Sequence, residues 1–214
     1  MLTRQQVVEG VAGQYDLFAG LVESAADGWD APTRCTKWRV RDVAAHVVGN
    51  AVDTAAGTIG RRTPDEQATA LAHHEPAELA AMLREANGKL RAALSTLDDR
   101  LWAKPSDVQG RTVGNGVLTL WYDAYVHGDD IRAALGRESE RGSGLTAAVH
   151  WVAESLRQKG WGPARLELRG FGPVDIGHGG GAVEADALDF VLTASGRRDP
   201  AALGLGRDVN VYSR

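Results

Sequence analysis

The sequence has 214 residues, 43% hydrophobic and 24% charged, with a formal charge of −4, the balance of a globular chain long enough to bury its own core. An acidic balance argues against a broad nucleic-acid footprint, which needs a basic face, and no apolar run approaches the roughly 18 residues of a membrane span. The single cysteine, Cys35, excludes an internal disulfide framework and a cysteine-based metal cluster. The first residues carry Arg4, Glu9 and Asp16 where a signal peptide needs an apolar stretch. The expectation is a cytoplasmic protein without nucleic-acid or membrane partners.

Four helices are predicted in the first two-thirds of the chain. Thr3 followed by Gln6 reads as a capping box, and Val7, Val8, Val11, Tyr15, Phe18 and Val22 recur at helical spacing to about Ala26. Asp27, Gly28 and the run from Asp30 to Pro32 interrupt the pattern. A second helix starts near Val40, turns Val43, Val47 and Val48 inward and runs to about Gly60. The polar stretch Arg61 to Asp65, with Pro64, reads as a loop. From Pro76, suited to a first turn, the residues Leu79, Met82, Leu83, Ala86, Leu90, Leu94 and Leu97 form the clearest stripe in the chain. After Trp102, Pro105 and Gly110 mark a connection. The fourth helix spans about Val113 to Leu135, with Val117, Leu120, Trp121, Ala124, Ile131 and Leu135 on one side and Gly136 as its terminator.

These four helices predict an antiparallel bundle over residues 1–138, followed by a small α+β region over 139–214. In that region Leu145, Val149, Val152 and Leu156 predict a fifth helix ended by Gly160. The alternating Arg165–Arg169 predicts a strand, with Pro173–Ile176 pairing back across the turn at 170–172. Ala182–Ala194 reads as a short helix and Val209–Tyr212 as a last strand. No internal repeat is present, and low complexity is limited to the GHGGG run at 177–181.

Six histidines carry the chemical argument. His73 and His74 sit in a solvated cap region beside Glu75 and Pro76, and His150 lies beside an apolar stripe. His178 lies in a glycine run that reads as a turn, although such runs can form anion-binding nests. His46 falls at the edge of the buried stripe of the second helix. On the fourth helix Asp123, His127 and Asp130 line up along one edge of the core-facing surface. Asp123 and His127 are four residues apart, the spacing at which two side chains converge on one ion. Carboxylate plus imidazole suits zinc or another first-row divalent cation, with His46 the candidate third ligand. The plainer alternative from spacing alone is an aspartate–histidine hydrogen bond.

The segment Arg34-Cys35-Thr36-Lys37-Trp38-Arg39-Val40-Arg41-Asp42-Val43-Ala44-Ala45-His46 resembles the pattern C-x-x-W-x-V-R-D-v-x-x-H of the mycothiol-dependent maleylpyruvate isomerase-like proteins of the DinB-like superfamily. Val126-His127-Gly128-Asp129-Asp130-Ile131-Arg132-Ala133-Ala134-Leu135-Gly136 resembles their second hallmark, v-H-G-x-D-I-R-x-x-L-G. Ala187–Leu192 followed by Ser195-Gly196-Arg197-Arg198-Asp199-Pro200 resembles their C-terminal GR-x-dP ending. The resemblance implies an α-dominated, DinB-like four-helix bundle with a small C-terminal α+β region. It also implies a divalent metal, usually zinc, held by one histidine of the second helix and an E-x-x-x-H pair of the fourth. Position by position these are His46, Asp123 and His127. Asp123 departs from the usual glutamate and, one methylene shorter, would hold the ion closer to its helix.

The same resemblance implies an enzyme that uses a low-molecular-weight thiol, mycothiol in actinobacteria, for isomerisation or S-transfer on a small electrophilic substrate. A non-catalytic metal- or thiol-binding protein and a metal-dependent hydrolase are the alternatives. Asp130 reads either as a support behind His127 or a metal-bound solvent, or as the structural partner of an arginine. Trp38 and Trp121 read as core residues that at most wall the pocket, and Arg132 as structural. Asp130, Arg169 and His178 are the groups available to act on a substrate. Cys35 lies in a loop with nothing near it in sequence to activate its thiol. A homodimer is left open.

Overall fold

The computed structural model describes residues 2–106 and 111–213; Gly110, expected to mark a connection, lies outside them. The described residues fall into two compact units, 2–140 and 141–213.

The first unit is built on four long helices: α1 (Arg4–Glu23), α2 (Val40–Ala55), α4 (Pro76–Ser95) and α6 (Val113–Ala134). Two short helices, α3 (Pro64–Leu71) and α5 (Asp99–Trp102), join them. Helix α1 packs against α4 and α6, and α2 packs against the same two, which closes a four-helix bundle. The predicted stripes form its core: Val7, Val11, Tyr15, Phe18 and Val22 from α1, Val43, Val47 and Val48 from α2, and Leu79, Leu83 and Leu90 from α4 are all buried. So are Val117, Leu120, Trp121 and Ile131 of α6, each such side chain contributing roughly 1.5–3 kcal/mol of transfer free energy. Thr3 and Gln6 make the expected capping box, and Gly136 takes up the left-handed conformation just past α6, with φ +65°.

Two helix ends fall short of their predicted positions. α1 stops at Glu23, and Ala26–Gly28 forms a single 3-10 turn. α2 stops at Ala55 rather than near Gly60, because Gly57 turns left-handed (φ +69°) and the Thr58 amide folds back to the Asp53 carbonyl. The expected loop at 61–65 ends early. Thr63 and Glu66 form a capping box over Pro64 in the first turn, and α3 begins there. α3 lies close against α2, since a Cβ added at Gly49 would come within 2.9 Å of the Gln67 Cβ.

In the second unit α7 (Ser143–Lys159) ends at a left-handed Gly160 and packs against α8 (Ala187–Ala194). Three strands, β1 (Ala164–Arg169), β2 (Gly172–Ile176) and β3 (Gly181–Asp186), form a sheet ordered β2–β1–β3. β1 runs antiparallel to β2 and parallel to β3. The predicted helix 182–194 is therefore half strand. Residues 181–186 pair with β1, and Asp186 caps α8 by accepting from the amides of Leu188 and Asp189. Tertiary pairing outweighs the helix preference of Ala182, Glu184 and Ala185. The predicted last strand is also absent. Arg207–Val209 is a 3-10 turn, and Lys159 Nζ takes the carbonyls of Asp208 and Asn210 that a ladder would need.

The core leaves no room at Gly10, where an added Cβ would stand 2.0 Å from the buried Trp121 ring. Gly10→Ala is expected to destabilise the bundle by about 1–3 kcal/mol, read as a lowered denaturation midpoint with no change in helix content below it.

Candidate metal centre

α2 and α6 each bring one buried histidine to the same place. Their ring centroids are 5.1 Å apart and nearly perpendicular. His46 is 5% exposed and His127 8%, so neither imidazole can rely on water for its polar atoms. His46 Nδ1 lies 3.0 Å from Gln67 Oε1, and His127 Nδ1 lies 3.1 Å from Asp130 Oδ2. Both partners accept, so in each neutral ring Nδ1 carries the proton and Nε2 is the bare nitrogen.

Both Nε2 atoms point to one carboxylate. His46 Nε2 is 3.5 Å from Asp123 Oδ2, and His127 Nε2 is 3.6 Å from Asp123 Oδ1. Asn50 Nδ2 donates to Asp123 Oδ2 at 3.3 Å. Ligands at zinc-type bond lengths of 2.0–2.2 Å in a tetrahedron stand about 3.4 Å apart. Two imidazole nitrogens and a carboxylate at these spacings therefore fit such a cation, and the shorter aspartate reaches far enough. Among the described residues His46, Asp123 and His127 are one of two groups whose ligand atoms all lie within 4.8 Å of one another.

The second group is Cys35, His127 and Asp130. Cys35 Sγ stands 3.4 Å from Asp130 Oδ2 and 4.0 Å from His127 Nδ1. This group faces the protonated side of the His127 ring, and its carboxylate is already engaged. Arg34 reaches Asp129 Oδ2 at 2.5 Å and places Nε 3.1 Å from Asp130 Oδ1. Asp130 thus places one oxygen against His127 and the other against an arginine.

Electrostatics tie the three candidate ligand residues together. Burial alone lowers the basicity of His46, but the Asp123 charge, its hydrogen bond and the Gln67 contact outweigh it, so the ring titrates above its ordinary 6.5. Burial alone raises the Asp123 carboxyl. When the rings are protonated, the charge and hydrogen bond of His46, the charge of His127 and the Asn50 amide overcome that and hold it far below the usual carboxylate range.

Trp38 is half-buried and forms one wall, its ring centroid 5.0 Å from that of His46 and 5.9 Å from that of His127. Its Nε1 donates to Asp65 Oδ1 at 3.0 Å. Trp121, by contrast, is buried against α1. Arg132 pairs with Glu140 at 3.7 Å. His73 and His74 stack on each other, and His74 meets Glu78. His150 packs edge-on to Phe171 within the second unit, which also carries Arg169 and His178. The sequence reading missed Gln67 and Asn50, and it placed Cys35 in a loop without seeing that the chain returns it to α6. The capping signature at Thr63 was the available sign of the helix that carries Gln67.

A profile of the family described as "Mycothiol maleylpyruvate isomerase N-terminal domain" matches residues 11–132, more than half of the chain. The chain belongs to this family. The four-helix unit and all three candidate ligands lie in or overlap the matched span. A crystal structure of a mycothiol-dependent maleylpyruvate isomerase is similar in fold, with a TM-score of 0.67 at 16% identity over 92% of this chain and 90% of that one. A histidine-to-alanine variant of such an isomerase gives a TM-score of 0.66 at the same identity and coverage. Among curated proteins, an arginine–tRNA ligase of Methylorubrum extorquens (strain PA1) is 31% identical over 139 residues, 62% of this chain. One from Methylobacterium nodulans is 31% identical over 138 residues. The chain spans only about a fifth of the length of these relatives, 22% and 21%.

A cation at this centre must displace the proton that His46 holds more tightly than an ordinary imidazole. Zinc affinity is therefore expected to fall as pH drops through the raised His46 value, the loss beginning above 6.5. Competition titrations against a chelator at about pH 8, 7 and 6 measure this, and an affinity that does not change would remove His46 from the ligand set. Asp130→Asn, which takes the carboxylate from behind His127, is expected to weaken zinc binding roughly 10–100-fold in the same titration at fixed pH.

Proposed function

We propose that the chain is an isomerase-type enzyme that holds a divalent cation, zinc by preference, on His46, Asp123 and His127. It works in the cytoplasm with a low-molecular-weight thiol, mycothiol, to isomerise a small electrophilic substrate or to transfer sulfur to it. In this reading the bundle, residues 1–138, carries the cation, and 139–214 forms a small appended α+β region. The observation that carries it is the aim of two imidazole Nε2 atoms at one carboxylate, each ring already satisfied at Nδ1. When bound, a divalent cation there supplies the charge that favours thiolate over thiol, and three protein ligands leave positions open for it.

The chain's own residues prepare that chemistry. Gln67 and Asp130 hold the two Nδ1 protons in place, which keeps both Nε2 atoms bare. Asp123 is held ionised between the rings, so a carboxylate rather than a carboxylic acid faces the cation position. The Trp38 indole shields one side of the imidazole pair from water. Cys35 gives its hydrogen to Asp130 Oδ2 and is engaged as a donor, so the reacting sulfur is assigned to an external thiol. The likeness in fold and family to mycothiol-dependent maleylpyruvate isomerases supports that thiol. The electrophile is left as a class.

Elemental analysis of the purified protein beside a His46→Ala, Asp123→Ala, His127→Ala triple variant tests the reading. About one divalent cation per wild-type chain, lost in the variant, is the expected result. The zinc-loaded wild type is then expected to bind mycothiol in a calorimetric titration where the triple variant does not. No metal in either protein after incubation with excess zinc would overturn the proposal.

A further inference from the structure

We infer that Gln67 is a positioning residue for His46 and that Asp53 and Arg62 act through it: the three side chains form a one-way hydrogen-bond relay that dictates which nitrogen of His46 is left bare. The inference rests on the cation site proposed above and adds what fixes its geometry.

The relay can be followed from its outer end. Arg62 has donors only, and two of them meet the same carboxylate, Nε to Asp53 Oδ2 at 3.1 Å and Nη2 to Oδ1 at 2.7 Å. A carboxylate gripped by a guanidinium fork is ionised and can only accept. The Gln67 amide nitrogen sits 2.9 Å from Asp53 Oδ2, so the end of the amide facing Asp53 must be its NH2. The other end, the carbonyl, then faces His46 Nδ1 at 3.0 Å. A carbonyl accepts and cannot donate, so Nδ1 must carry the ring proton. A neutral imidazole has one N–H, and Nε2 is left with its lone pair directed at Asp123.

No link can be reversed without leaving an unmade contact. Turning the Gln67 amide over would set a carbonyl against the Asp53 carboxylate. Moving the His46 proton to Nε2 would set two lone pairs against each other at Nδ1, giving up the 3.0 Å contact with Gln67 Oε1 for the longer 3.5 Å contact with Asp123 Oδ2. Gln67 is 3% exposed and Asp53 6%, so water is not at hand to compensate either error. The relay also ends in an amide where His127 has a carboxylate, which orients the ring without adding another full negative charge beside Asp123. The backbone is shaped for it as well: Gly49, three residues along α2 from His46, leaves the space that the Gln67 Cβ and Cγ occupy.

Nitrogen–proton correlation spectra of the metal-free protein at about pH 9, where imidazoles are neutral, report the tautomer directly. The wild type is expected to show His46 as the Nδ1–H form, and Gln67→Met to shift it toward Nε2–H. The same variant is expected to lose roughly 10–100-fold in zinc affinity while its thermal melt stays cooperative. Combining Asp53→Asn with Gln67→Glu puts a donor at 53 and an acceptor at 67, so it is expected to restore the Nδ1–H form and most of the zinc affinity. A wild-type His46 protonated at Nε2 would overturn the relay, as would a Gln67→Met protein with unchanged tautomer and affinity. Should Gln67→Met not fold, the wild-type tautomer and the double variant decide the question. A wild type with the Nδ1–H form that binds no zinc supports the relay and overturns the proposed function, so the two failures are told apart.

Discussion

Withdrawing two imidazoles and a carboxylate from water into a helix bundle is unfavourable unless each polar atom meets a partner. That requirement organises the first unit of this protein. His46 brings Gln67, Gln67 brings Asp53, and Asp53 brings Arg62, whose side chain reaches partial exposure. His127 brings Asp130, and Asp130 with Asp129 brings Arg34. Each chain of contacts thus ends on an arginine, a cation that stays charged at any ordinary pH. Between the chains Asp123 faces both histidines, 3.5 Å from His46 Nε2 and 3.6 Å from His127 Nε2.

The same requirement explains why the loop before α2 is ordered. Arg34 is anchored on two buried aspartates of α6, and a β-bridge between Pro32 and Arg39 closes the loop on itself. Cys35 and Trp38, which have no helix of their own, are thereby delivered to the imidazole pair. A loop residue 95 positions away in sequence from Asp130 becomes its neighbour because the carboxylates need the guanidinium.

Much of this could be read in the sequence because it is written in local rules. The stripes of α1, α2, α4 and α6 follow the helical period, and the Thr3 and Gly136 boundaries follow capping chemistry. The four-residue spacing of Asp123 and His127 gives the pair on α6, His46 at the edge of the α2 stripe is the candidate third member, and the resemblance of 34–46 and 126–136 to a known family implies the same three. What escaped depends on contacts between distant elements. Gln67 looks like any polar residue of a short segment until α3 is laid across Gly49. Residues 181–186 have helix-forming side chains and become a strand only because β1 offers them an edge. The end of the chain loses its predicted strand to Lys159, a residue some fifty positions earlier.

The short helix α3 has a consequence for how the centre can move. Its first turn carries Asp65, which holds the indole of Trp38, and its next residues carry Gln67, which holds the ring of His46. Indole and imidazole are thus hung from the same eight-residue rod. A rigid shift of that rod would move the indole and the imidazole together. The two rings are mechanically coupled, and a change that loosens one contact is transmitted to the other.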